Sequence, residues 1–148
     1  MDPSGPWDRD RVDEFLTDAR VPVRLGCRTP ADDPWIVSLW FSWDGALHCA
    51  TSADADLVAF LAHENHVSFE VSTNDPPYKG VRGRGRATVS PDEEKELLRS
   101  LLDRYLDGVD NPTGDRLLRP DREEVRIRIE PERLHTWDYS ERMGSADR

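Results

Sequence analysis

Cysteine and lysine are nearly missing from this 148-residue chain, and so is any long apolar stretch. Cys27 and Cys49 are the two thiols. Each falls in an apolar, strand-like run, where a small buried thiol is the simplest reading, ahead of redox or metal chemistry. Lys79 and Lys95 are the two lysines among 20 basic residues, which face 30 acidic ones for a formal net charge of -10. That balance argues against a general nucleic-acid surface, which needs net basic charge at least locally. A salty cytoplasm, where screening makes high negative charge tolerable, or a biased genome accounts for arginine over lysine. The longest uncharged run, PWIVSLWFSW (34–43), is too short to cross a bilayer, and the opening MDPSGPWDRD lacks the basic-then-apolar order of a signal peptide. A soluble, cytoplasmic chain with no membrane or nucleic-acid partner is expected.

Catalytic signatures are scarce as well. G-x-S-x-G and P-loop motifs do not occur, and GVRGRG does not fit the dinucleotide pattern G-x-G-x-x-G. His48, His63, His66 and His135 form no metal-ligand spacing with cysteines or carboxylates, so no metal is expected. No general acid or base stands out, and the catalytic residues stay unknown.

What is present is bulky core material and clear periodicity. Five Trp, four Phe and three Tyr exclude disorder throughout, and the length fits a single domain over 1–148, with residues 1–9 and 143–148 as flexible arms. Val12, Phe15, Leu16 and Ala19 keep helical spacing. VPVRLGC alternates as a strand. PWIVSLWFSW and ALHCAT flank Asp44-Gly45, a strong hairpin signal, with Trp35, Trp40 and Trp43 in the first hairpin strand. Leu57, Val58, Phe60 and Leu61 mark a second helix, leading to strand HVSFEVST. Ser90, Pro91, Asp92 and Glu93 read as an S-x-x-E capping box for a third helix, with Leu97, Leu98, Leu101, Leu102 and Tyr105 as its apolar stripe. Residues 109–123 read as an exposed connection with a turn of helix near Leu117 and Leu118. EVRIRIE and RLHTWDY read as two strands joined at Pro131-Glu132. Short links favour antiparallel pairing, and closing the sheet removes exposed edges.

The stretch YKGVRGRGRATV (78–89) gathers Lys79, Arg82, Arg84 and Arg86 within an acidic chain. As a strand it turns Val81, Gly83, Gly85, Ala87 and Val89 inward and Arg82, Arg84, Arg86 and Thr88 outward. The outward arginines serve an anion or are solvated; Arg84 and Arg86 are expected to pair with acids such as Glu70 or Glu130.

Taken in order, the hairpin, HCATS, the amphipathic helix, HVSFEV, the proline-rich break, VRGRGRATV, the third helix and the closing TWDYSERM resemble the flavin-binding split-barrel family related to pyridoxamine 5'-phosphate oxidase, in its general stress protein and flavin reductase branch. The resemblance spans roughly residues 10–143. It implies an α+β fold, a six-stranded antiparallel split β-barrel with flanking helices. It also implies a homodimer holding FMN, or in some members a deazaflavin or haem, in a cleft built from both subunits, and an oxidoreductase acting on a small molecule. A non-catalytic member with weak or lost flavin binding is the alternative.

By the same resemblance, Val37, Ser38, Leu39 and Trp40 run along the flavin ring, and Thr51 and Ser52 face its phosphate or ribityl chain. Lys79 and Arg82 supply cations near the phosphate, and Trp137 and Arg142 approach from the partner or C-terminal side. Leu57 stands where many members carry a lysine, and the glutamine that oxidases place near Gly80 and the arginine they place beside Trp35 are missing. Leu57→Lys is therefore expected to strengthen FMN binding without affecting riboflavin. Trp7, in a polar arm outside the resemblance, is expected to matter less for the flavin than Trp137.

Overall fold

The strand alternation of 78–89 holds along one of the longest elements of a computed structural model, which describes residues 2–142. In chain order the elements are α1 (Arg9–Asp18), β1 (Val23–Arg28), β2 (Pro34–Leu39), β3 (Ser42–Trp43), β4 (Leu47–Ser52), α2 (Asp56–His63), β5 (His66–Ser72), β6 (Lys79–Pro91), α3 (Glu96–Leu106), α4 (Pro112–Leu117) and β7 (Glu124–Asp138). The strands form one antiparallel sheet in the order β2-β1-β5-β6-β7-β4-β3, curled into a half-barrel. This is the expected split-barrel architecture with seven strands in place of six.

The extra strand comes from a break in the run 34–43. Its first part, β2, pairs with β1, whereas Ser42 and Trp43 pair with His48 and Leu47 across the Asp44-Gly45 turn. Trp35 and Trp43 therefore lie on different strands. Nothing in the local sequence breaks the run; the Tyr105 hydroxyl does. It accepts from the Phe41 amide at 3.2 Å and donates to the Val21 carbonyl at 3.0 Å, supplying backbone partners that a continuous strand would have drawn from a neighbour.

The inner face of the sheet is apolar and covered. Val23, Leu25, Phe41, Leu47, Cys49, Val71, Val81, Ile127, Ile129 and Leu134 are all buried against Val12, Leu16, Leu57 and Leu61 of α1 and α2. Cys27 and Cys49 are unbridged and buried, and burial pushes the Cys49 thiol up to about 12.

Three expectations need correction. Residues 2–9 are not a loose arm: Trp7 is only 7% exposed, packs on Phe15 with ring centroids 4.9 Å apart, and donates its indole N–H to Asp138 at 3.1 Å. The expected arm at 143–148 lies outside the described residues. The third helix does not start in a Ser90 capping box, because Ser90 and Pro91 are still paired with Arg126 and Val125. A 3-10 turn over Glu93–Lys95 follows, with Glu94 and Lys95 at φ 57° and 58°. The Asp92 carboxylate accepts from the amides of Leu97 and Leu98 at 3.1 and 3.0 Å, satisfying the first orphan donors of α3. Finally, Glu124–Asp138 is one strand rather than two. Its register against β6 shifts between Arg84 and Gly85, where Glu132 is the extra, bulged residue. The bulge exchanges the faces: Ile127, Ile129 and Pro131 are buried before it, Leu134 and Thr136 after it.

Candidate functional site

A cleft opens where the end of β2 meets the end of β4. Ser38, Leu39 and Trp40 form one side and Ala50, Thr51 and Ser52 another; Leu98 and Leu101 of α3 and Thr113, Arg116 and Leu117 of α4 roof it. Arg122 and Glu124 complete a space of about 330 Å³. Trp40 is held in place by stacking on Tyr105, with centroids 5.2 Å apart and planes 8° from parallel. The Ser52 hydroxyl accepts from the Asp54 amide at 3.3 Å, an ST-turn that orders the exit from β4.

Five residues expected at a flavin thus share one cleft: Ser38, Leu39, Trp40, Thr51 and Ser52. Val37 turns toward the core, half-buried. The other four lie elsewhere in this chain. Lys79 and Arg82 are on β6 and Trp137 is on β7, with the Arg82 guanidinium 4.3 Å from the centre of the Trp137 ring. Arg142 sits over Tyr139 at 5.0 Å. Leu57 does not reach the cleft: it is 5% exposed and belongs to the core, so the expected gain from Leu57→Lys is withdrawn. The expected pairing of Arg84 and Arg86 is also revised. Arg86 meets Asn65 at 3.1 Å and Glu132 at 3.8 Å, and Arg84 has no ion pair among the described residues.

Sequence reasoning missed the roof as a roof. Residues 109–123, read as an exposed connection with a turn of helix near Leu117 and Leu118, contain α4, which begins earlier, at Pro112, and opens with Asn111 accepting from the Gly114 amide at 2.7 Å. That Asn-Pro pair was the available signal. Arg116 and Arg122 are the cations it brings to the cleft. Arg122 donates to one oxygen of Glu124 at 3.2 Å, and the Glu124 side chain is 1% exposed. Arg122 Nε and the second Glu124 oxygen are buried with no hydrogen-bond partner among the described residues. A paired guanidinium with an unused donor, beside two hydroxyls and an apolar wall, suits a ligand that is flat and apolar at one end and anionic at the other.

The histidines are scattered: His48 meets Asp44 at 2.9 Å, His66 meets Glu132 at 3.0 Å and His135 meets Ser4 at 2.6 Å. Burial opposes ionisation of Asp44, but its hydrogen bonds to His48 and the Ala46 amide, and the charges of His48 and Arg128, outweigh it, so its carboxyl sits below the usual value.

A sequence profile of the pyridoxamine 5'-phosphate oxidase family matches residues 8–143, and the chain belongs to that family. Among solved structures, it is similar to a conserved hypothetical protein from Mycobacterium tuberculosis, at 24% identity over 90% of this chain and 86% of that one, with a TM-score of 0.73. It is also similar to an F420 reductase, at 25% identity over 82% of this chain and 94% of that one, with a TM-score of 0.68. A FAD-binding protein from Mesorhizobium loti shares the fold at 22% identity over 86% of this chain and 92% of that one, with a TM-score of 0.61. A search of curated protein sequences returns no match.

Proposed function

We propose that this chain is an oxidoreductase that holds FMN or a deazaflavin in the cleft between β2 and β4 and works as a homodimer. The observation that carries the reading is the convergence of an apolar wall with an anion-binding end. Leu39, Trp40, Leu98, Leu101 and Leu117 would take the ring, while Thr51, Ser52, Arg116 and Arg122 would take the phosphate. Membership of the family and similarity to an F420 reductase support the cofactor class. When bound, such a cofactor supplies hydride transfer.

The protein's part is to bind, orient and exclude water. Stacking on Tyr105 fixes Trp40 so that the wall is rigid before a ligand arrives, which reduces the ordering cost of binding. Glu124 holds Arg122 by ion pairing, so its guanidinium is aimed without spending ligand binding energy on it. The phosphate-binding cations here come from α4 and the segment before β7 rather than from the start of α2, where Leu57 serves the core.

Titration of FMN, riboflavin and F420 into the purified protein, followed by flavin or deazaflavin fluorescence, tests the reading. Arg116→Ala is expected to weaken FMN roughly tenfold, the loss of one charge-assisted hydrogen bond, and to leave riboflavin unchanged. Absence of binding by all three up to about 1 mM, a binding energy of only about 4 kcal/mol, would overturn it.

A further inference from the structure

The cleft between β2 and β4 is not closed off at its anionic end. A second space of about 490 Å³ abuts it there. Arg122 and Glu124 line both spaces, and on two further segments the spaces meet at consecutive residues: Ser52 and Leu117 line the cleft, Ala53 and Leu118 the second space. The buried Glu124 side chain and the guanidinium paired with it form the step between them. A molecule held by a phosphate at Arg116 and Arg122 therefore has room to continue past that phosphate. The hollow beyond is within the range, roughly 300–1,000 Å³, that takes small ligands.

Its lining decides what fits. Ala53, Leu118 and Val125 give half-buried apolar walls, completed by the exposed Pro91 and Pro120. Most of the charges beside them are already committed. The Lys95 ammonium donates to the Arg119 carbonyl at 2.6 Å, Asp92 caps α3 with both oxygens, and Arg122 and Glu124 hold each other. Three charged groups remain. Arg99 donates its Nε to the Glu94 carbonyl at 3.4 Å, which leaves its two terminal nitrogens without a hydrogen bond or ion pair among the described residues. The carboxylates of Glu94 and Glu123 have none either. One free guanidinium suits one further phosphate. Two free carboxylates oppose a run of like charges, which is discrimination by repulsion, and they accept from the amino group of a heteroaromatic base.

We infer that this second space takes the adenosine monophosphate half of a dinucleotide flavin, so that the chain selects FAD, whose flavin half is FMN, over FMN alone and over a deazaflavin with a polycarboxylate tail. Arg99 meets the second phosphate, the adenine lies against Leu118 and the two prolines, and its amino group faces the carboxylates of Glu94 and Glu123. The tail of oligoglutamyl F420 would bring several carboxylates to the same two acids with one free cation to receive them. This selection rests on the cofactor reading, because the first phosphate, at Arg116 and Arg122, marks the entrance to the second space.

Calorimetric titration of FMN, FAD, and F420 with and without its oligoglutamyl tail tests the inference in the wild type, in Arg99→Ala and in a Glu94→Gln/Glu123→Gln double variant. All three positions are exposed, so the substitutions leave the core untouched. The wild type is expected to bind FAD roughly tenfold or more tighter than FMN. Arg99→Ala is expected to weaken FAD about tenfold, the loss of one charge-assisted hydrogen bond, and to leave FMN unchanged. The wild type is expected to prefer the deazaflavin without its tail, and the double variant to narrow that preference by roughly threefold, the effect of removing two exposed charges. Equal affinities for FMN and FAD, or an Arg99→Ala variant that weakens both alike or neither, would overturn the inference and leave the cofactor reading standing. So would tailed F420 binding tighter than FAD. If neither flavin nor deazaflavin binds, both fall together.

Discussion

The two faces of this sheet solve opposite problems with the same strands. The inner face is paved with Val81, Ala87, Ile127 and Leu134 and covered by α1 and α2, so each side chain there is held by packing from all sides. The outer face sets Arg84 against Arg133 and Arg82 against His135 with no helix over them. Stability resides in the first, and the second gives some of it up. Like charges directly opposite each other, as Arg84 and Arg133 are, cost stability, and packing alone does not explain them.

The sharpest way to break this comparison is to put a charge on the covered side. Leu57→Lys places an ammonium in the core without a partner, and a loss of roughly 3–5 kcal/mol is expected in urea unfolding. Unchanged stability with tighter FMN binding would show that the start of α2 faces the cleft after all. Gly85→Ala comes next. A Cβ at Gly85 would lie 2.1 Å from the Glu130 carbonyl, so β6 and β7 must separate at the bulge, at a cost of about 1–3 kcal/mol. A melting temperature equal to wild type would mean that the bulge is plastic. On the outer face, Arg84→Ala is expected to change stability by no more than about 0.5 kcal/mol, in either direction. A larger loss would reveal a structural partner for Arg84.

The smallest effect concerns pH at the junction of the two faces. Burial opposes ionisation of Asp138, but hydrogen bonds from Ser140 and Trp7 and the charge of Lys79 outweigh it and hold the carboxyl below the usual value. A depressed carboxyl contributes stability above its unfolded pKa, and that contribution is lost as pH falls through the folded value. Trp7→Phe removes one of those donors, so the Asp138 pKa should rise and acid unfolding should begin at slightly higher pH. An NMR titration of Asp138 that does not move would disconnect the indole from the carboxylate.

How far the sequence could be read follows the same division. Alternation in 78–89, the apolar stripes of α2 and α3 and the Asp44-Gly45 turn are local patterns, and each lies where its period placed it. Trp7 was illegible because its neighbours are polar and its partners, Phe15, Thr136 and Asp138, are mostly remote in the chain. The S-x-x-E signal misled because pairing of Ser90 and Pro91 with β7 outweighs local capping, leaving Asp92 to cap α3. For the candidate site, five residues were placed in one cleft by resemblance alone, while Arg116 and Arg122 were hidden in a segment marked only by Asn111-Pro112 and a turn of helix near Leu117.

The bulge at Glu132 acts on the sheet as a shift of reading frame. Upstream of it the odd-numbered positions of β7 face the core, and downstream the even-numbered ones do. Were Glu132 to pair opposite Arg84 instead of bulging, every later position would move to the wrong side, sending Arg133 and His135 inward and Leu134 and Thr136 out. The outward placement of Arg133 and His135 and the docking of the N-terminal segment on Thr136 and Asp138 are both set in the shifted frame. One residue of extra backbone therefore decides which side chains of the second half of this strand are interior and which face outward.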